Sequence, residues 1–458
     1  MEKTLLWEAF SSLSSAEVRD FGKFVRSPFF NTRPALVDWF DFLAVCRAQE
    51  NPSHPIPEGL GEGLSGRLAH SALLALLEKY LVYKEQFSDE TRSKIRLAAA
   101  YRKRNLNRHF QITLREARQN QERQPWRHAD YYHDLNLIEW EQYQFDTAQK
   151  RTDSLNIQTT SDLMDTAFVA RKLRLACLAV SHQAVYKTDY RIGLLDAVLQ
   201  ESERMAAIPA VGLYFHCYHF LMDPFDLGEG HFGRFREILV SSAETFPKEE
   251  LRTLYLLAIN FGIKKANESR PGWLKTTLDL YQAALAYELL LENGQISRFA
   301  FTNIVAIAVR VGEADWAETF ILEYRPSLER SWRDATASLN LARVAFARKD
   351  YTGALQQLQR SDYKDTINNM IAKIYQLKIY YETDELDLLN SHLASLKNYV
   401  RRHTAIGYHR TNYTRILHFT EQLMALNFNN SKAVAALRAK IEAEKILTEK
   451  EWFLEMLG

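Results

Sequence analysis

Residues that stop helices are few in this chain and unevenly placed. Of 458 residues, 17 are glycine and 11 proline. A many-stranded sheet needs frequent turns with positive or fixed φ, and Gly and Pro supply them. Seven of these 28 residues fall between Asn51 and Gly66, and four more between Pro224 and Gly233. The stretches left between them contain little that would break a helix. With 47% hydrophobic and 25% charged residues, the chain has ample material for a core and is too apolar for disorder. The expected class is therefore all-α, with elements spaced roughly 15–25 residues apart on short links.

Local signals agree. Ser14-Ser15-Ala16-Glu17 reads as a capping box, followed at helical spacing by Val18, Phe21, Phe24 and Val25. Ser27-Pro28 should stop that helix, and Asn31 with Pro34 should open the next. Helices resume at about Leu68 and are expected to run, with a break near Ser88, to about Gln121. Thr448-Glu449-Lys450-Glu451 reads as a second capping box, before a last helix carrying Trp452, Phe453, Met456 and Leu457. That helix is expected to dock and cap the fold.

The clearest internal repeat lies between Val305 and Tyr399. Asp315-Trp316, Asp350-Tyr351 and Glu385-Leu386 recur every 35 residues, with Thr319, Ala354 and Leu389 in the same phase. Tyr351, Ala354, Leu355 and Leu358 mark one helical face; Ile367, Met370, Ile371 and Ile374 mark another. Neither face can bury itself alone, so neighbours must stack. Asn340-Leu341-Ala342, Lys349-Asp350-Tyr351, Ala354 and Leu358 resemble the tetratricopeptide repeat. Ala342 and Ala354 stand at its small positions and Tyr351 at its aromatic one. Copies near Phe301 and Asn369 match less well, with Thr319 and Leu389 at the small position. Separately, Phe24-Val25-Arg26-Ser27-Pro28-Phe29-Phe30-Asn31 is similar to a segment near the start of uncharacterised bacterial helical-repeat proteins.

The resemblance implies an α-solenoid: a helical module at 1–124 with a loop at 51–66, a tetratricopeptide-like array at 125–430, and capping helices at 431–458. It also implies a groove lined by the first helix of each hairpin. Asn340, Arg343, Phe346, Tyr375, Lys378 and Tyr381 would then project into it and bind a peptide or domain of another protein.

Charge offers a second surface. Lys and Arg (58) against Asp and Glu (57) leave a net charge of +1, so no global field draws the chain to nucleic acid or membrane. Arg92–Arg127, however, holds eleven cations and only two acids, Glu116 and Glu122. On one helix, Arg104, Arg108, Arg115 and Arg118 would form a stripe opposite Leu106, Phe110, Leu114 and Ala117. This stripe is the alternative site, for nucleic acid or another anionic ligand.

No reaction is legible. Gly61-Gly63-Gly66 and Gly228-Gly230-Gly233 have dinucleotide-binding spacing but follow no strand, and both are expected to be loops. His216 and His219, near Asp223, Asp226 and His231, could supply zinc donors, but they sit in an aromatic-rich helix expected simply to pack. No phosphate-loop, H-E-x-x-H or G-x-S-x-G pattern occurs. The expectation is a non-enzymatic protein without cofactor or metal. Cys46, Cys177 and Cys217 are odd in number and far apart, MEKTLLWEAF lacks the apolar core of a signal peptide, and no apolar run could span a bilayer, so a cytoplasmic location is expected.

Overall fold

The computed structural model describes residues 4–49, 55, 57, 60, 66–149, 154–186, 188–222, 228–268, 270, 272–359, 366–402, 409–444 and 446–458. Among them are 22 α-helices, two short 3-10 turns and one two-stranded hairpin. The protein is all-α, and no described helix is long and apolar enough to cross a membrane. The chain divides into two compact units, Met1–Pro247 and Lys248–Gly458.

The first unit contains α1 (Leu5–Ser12), α2 (Ser15–Arg26), α3 (Ala35–Ala48), α4 (Gly66–Ser88), α5 (Glu90–Lys103), α6 (Asn107–Arg123), α7 (Ala129–Gln149), α8 (Ile157–Tyr186), α9 (Leu195–Arg204), α10 (Pro209–Met222) and α11 (Gly228–Ser242). The capping box at Ser14 forms: Glu17 N–H donates to Ser14 Oγ at 3.2 Å, and Ser14 N–H donates to Glu17 Oε2 at 2.7 Å. Phe10, Phe21, Phe40 and Tyr80 then interlock as one ring cluster between α1, α2, α3 and α4. On either side of Pro125, α6 and α7 pack against each other and both pack against α5.

A helix break missed by the sequence reading falls at Arg104–Leu106. Asn105 takes φ 57°, and Leu106 N–H donates back to Tyr101 O at 3.0 Å, which closes α5 and α6 into a hairpin. The second glycine motif is a helix, not a loop: Gly228, Gly230 and Gly233 belong to α11, and a Cβ at Gly230 or Gly233 would meet nothing. Of the first, Gly61 and Gly63 lie outside the described residues, and Gly66 opens α4.

The second unit contains α12 (Lys248–Asn267), α13 (Trp273–Ala286), β1 (Leu291–Glu292), β2 (Gln295–Ile296), α14 (Arg298–Val311), α15 (Ala314–Tyr324), α16 (Arg333–Ala347), α17 (Tyr351–Gln359), α18 (Thr366–Glu382), α19 (Leu386–Arg402), α20 (His409–Met424), α21 (Ser431–Ala443) and α22 (Lys450–Met456). Asn293 and Gly294, at φ 51° and 76°, turn the small hairpin, as the positive-φ turn between paired strands requires.

Packing from α14 to α19 is repeat-like. Helices pair as α14–α15, α16–α17 and α18–α19, and each first helix also packs on the next first helix. The three hairpins share one turn. Gly312, Lys349 and Asp384 each take a left-handed conformation, and the next residue donates five residues back: Glu313 to Ala308 O, Asp350 to Ala345 O, and Glu385 to Tyr380 O. Only one of the three is glycine, so most hairpin joints here are absent from a map of Gly and Pro.

These turns correct the phase of the repeat. They lie 37 and then 35 residues apart, which makes Ala317, Ala354 and Leu389 equivalent. All three are fully buried, whereas Thr319, the residue expected in that role, is exposed. The first copy therefore does carry the small residue that lets two helices approach.

Candidate functional site

The six residues expected to line a groove converge on one side of α16 and α18, but they are not an open surface. Asn340 is fully buried, and Arg343, Phe346 and Lys378 are 8%, 8% and 6% exposed; Tyr375 and Tyr381 are half-buried. Their polar atoms have partners inside the unit. Asn340 Nδ2 donates to Thr336 O at 2.9 Å. Arg343 donates to Tyr375 OH at 3.1 Å, Thr302 O at 3.1 Å and Asn340 Oδ1 at 3.2 Å. A further helix lies against part of this cluster, at Lys378 and Tyr381.

That helix is α22. Glu449, at its start, accepts from Lys378 Nζ at 2.8 Å, while the Lys378 ammonium lies 4.7, 5.1 and 5.4 Å from the rings of Phe346, Tyr375 and Trp452. Trp452 Nε1 donates to Glu382 Oε1 at 2.7 Å, and Tyr381 meets the Trp452 ring edge-on at 5.6 Å. Glu382 Oε2 also accepts from Lys349 Nζ and Tyr351 OH, both at 2.6 Å. Arg310, on α14, grips Glu451 with two hydrogen bonds of 2.6 and 3.1 Å, a planar fork on a carboxylate. Phe453 is fully buried and packs on Phe419 of α20.

Ionisation follows from this geometry. Burial opposes the charge on Lys378, yet the Glu449 carboxylate beside it holds the ammonium above its usual pKa. Burial also opposes the carboxylates, but Lys378 holds Glu449 below its usual value, and hydrogen bonds from Lys349, Tyr351 and Trp452 do the same for Glu382. The second capping box expected from sequence does not form for the same reason. Thr448 is engaged with Asn412 through bonds of 2.9 and 3.0 Å, and Glu451 points to Arg310 instead of closing the box. Contacts of α22 reach 141 residues back along the chain, so it lies across several hairpins as well as against α20.

Sequence read Glu449 only as part of a capping box and Trp452 only as part of a docking helix, and it did not single out Glu382. The pairs Lys378–Glu449 and Glu382–Trp452 span 71 and 70 residues, beyond any local spacing rule. The one available signal was a lone acid, Glu382, ending the apolar face of a helix.

The basic segment is divided by its own packing. Arg104 closes α5, while Arg108, Arg115 and Arg118 lie on α6, so no continuous four-arginine helix stripe exists. Leu106, expected on the buried side, is 40% exposed. Arg92 pairs with Asp134 at 2.9 Å, Lys94 with Glu116 at 2.5 Å, Arg102 with Glu141 at 2.8 Å and Arg118 with Glu139 at 2.6 Å. Arg96, Lys103, Arg104, Arg108, Arg115 and Arg123 are exposed and have no carboxylate partner among the described residues.

Elsewhere, His216 Nδ1 lies 2.9 Å from His231 Nδ1, and His219 stacks on His231 at 4.6 Å. Burial, with His231 and His219 alongside, pushes the His216 pKa down to about 4. Asp223 and Asp226 lie outside the described residues, among which no group of three His, Cys, Asp or Glu could hold a metal. A polar cavity of about 640 Å³ is bordered by Arg92, Arg123, Trp126, Asp130 and Asp134, and these two aspartates are tied to Arg171 and Arg92. Comparison with protein-family models, curated proteins and solved structures finds no match to this chain.

Proposed function

We propose that this protein is a non-enzymatic interaction scaffold, a tetratricopeptide-like stack of helical hairpins whose first-helix face across α14, α16 and α18 receives a segment of another protein. The observation that carries the reading is the seat of α22: a short helix already lies on the residues that the repeat phase assigns to partner recognition. A face that accepts one amphipathic helix through matched charges and an aromatic anchor has the chemistry of a helix-in-groove site. All three cysteines are free, which suits a reducing compartment such as the cytoplasm.

The test places a photo-crosslinking phenylalanine at Tyr381, on the groove, and a control at Leu388, which is 51% exposed on α19. The expected result in the source cells is a protein joined at position 381 and not at 388, which then binds the purified chain in titration. No crosslinked protein at 381, or the same set at both positions, refutes the reading.

A second reading, a nucleic-acid or anionic-ligand surface, is favoured by the six unpaired cations on and around the α5–α6 hairpin. Binding through it would weaken steeply with salt, because displaced counterions drive such association. A complex indifferent to R104E, R108E and R115E together would end it.

A further inference from the structure

We infer that the groove recognises an acidic, tryptophan-bearing helix, and that residues 448–458 are a built-in copy of that ligand which a partner of the same chemistry displaces. The inference rests on the reading of the first-helix face as the partner site, and it names what that site takes.

The groove is cationic and aromatic. Arg310, Arg343, Lys349 and Lys378 face it with one acid, Glu382, while the segment that fills it carries Glu449, Glu451 and Glu455 with one base, Lys450. Each acid meets a cation: Glu449 meets Lys378, Glu451 meets Arg310, and Glu455 lies 3.8 Å from Lys349. A helix needed only to cover apolar surface would not require that match. Lys378 is the discriminating residue. Its side chain is 8% exposed, and Glu449 is its only ion-pair partner among the described residues. Without the segment Lys378 would keep only the charge of Glu382, which Lys349 already shares, so an acidic occupant is favoured over a neutral one. Trp452 supplies the anchor, with its ring beside the ammonium and its N–H on Glu382.

The occupant also has the character of a ligand. At seven residues α22 is too short to be helical by itself, so its helicity depends on docking. It remains in the groove because attachment to α21 gives it a high effective concentration, on the order of millimolar for a short tether. A free helix of like chemistry competes against that concentration.

The test uses the full-length chain and a fluorescein-labelled peptide of residues 446–458. In the protein, E449K with E451K releases the tethered segment. The peptide is expected to bind this released chain at least tenfold more tightly than wild type, since the tethered competitor is gone. Adding K378E to the released chain, or replacing Glu449 and Trp452 by Ala in the peptide, should abolish binding. If the double variant does not fold, E451K alone serves, because that side chain is 67% exposed; it should bind the peptide more tightly than wild type does. Equal binding to wild-type and released chains, or no binding to a released chain that circular dichroism shows folded, overturns the inference. If the peptide fails while a partner still crosslinks at position 381, the ligand chemistry falls and the groove stands. If both fail, the groove reading falls too.

Discussion

Glu382 ties three elements together, so replacing it by glutamine tests the reasoning at its most specific point. Its side chain is 5% exposed and accepts from Lys349, Tyr351 and Trp452. Lys349 is 50% exposed, so its ammonium returns to water and its share is small, about 0–1 kcal/mol. An amide offers one acceptor oxygen, which can serve the Trp452 N–H, and an NH2 group, to which the Tyr351 hydroxyl can turn and accept. What is lost is the extra strength of hydrogen bonds to a charged acceptor, about 1–2 kcal/mol in all. E382Q should therefore destabilise the second unit by about 1–2 kcal/mol. For a unit of this size that lowers Tm by roughly 2–8 °C, read by calorimetry on the full-length chain. Y351F removes one donor and leaves the carboxylate its other partners, so it should cost only about 1 kcal/mol. The pH dependence carries a sign. Glu382 has a pKa below its ordinary 4.5 in the folded chain, so its contribution is present above that value and is lost as pH falls through the folded pKa. The gap between wild type and E382Q should accordingly narrow in acid. A gap under about 0.5 kcal/mol at pH 7, within the range of ordinary surface changes, would refute the account, as would a gap that persists unchanged at pH 3.

Other consequences are as specific. His216 has a folded pKa of about 4 against 6.5, so it stays neutral in the fold and protonates when unfolded; stability should fall as pH drops from 6.5 toward 4. Linkage sets a ceiling of about 2 kcal/mol at pH 5, which partial solvent access reduces to about 1, and H216Q should flatten that part of a urea-midpoint profile. Asp384 is exposed at φ 58°, so D384G should stabilise by about 0.5–1 kcal/mol in chemical denaturation; a loss would show that the turn is not the left-handed cap described. At Gly262 a Cβ would collide with buried Thr277, whose hydroxyl donates to Trp273 O at 2.6 Å, so G262A should destabilise by about 1–3 kcal/mol. R108E removes an exposed, unpaired cation and should change stability by less than about 0.5 kcal/mol, whereas R118E sets a second acid against Glu139 and should cost more; equal effects would contradict the division of the basic segment.

Much of the architecture is written locally. The all-α class follows from sparse breakers and 3.6-residue apolar periodicity, and the Ser14 cap from four adjacent residues. The hairpin joints were less legible. Asn105, Glu288, Lys349 and Asp384 take positive φ without being glycine, so a search for Gly and Pro passes over them. That error ran α5 into α6 and drew one arginine stripe across two helices, while a fixed 35-residue spacing placed Thr319 where Ala317 belongs.

The breakers and the apolar period, each confined to neighbours within a turn or two, determined by themselves that this chain is helical. They also brought Arg343, Phe346, Tyr375 and Lys378 to one face, because residues 32–35 apart in phase on stacked hairpins share a side. Whether that face is open was decided only by tertiary structure. Lys378 meets Glu449 at 71 residues, Glu382 meets Trp452 at 70, and Arg310 meets Glu451 at 141. Attraction between charges depends on distance in space, and chain separation carries no information about it until the fold has brought the last helix back.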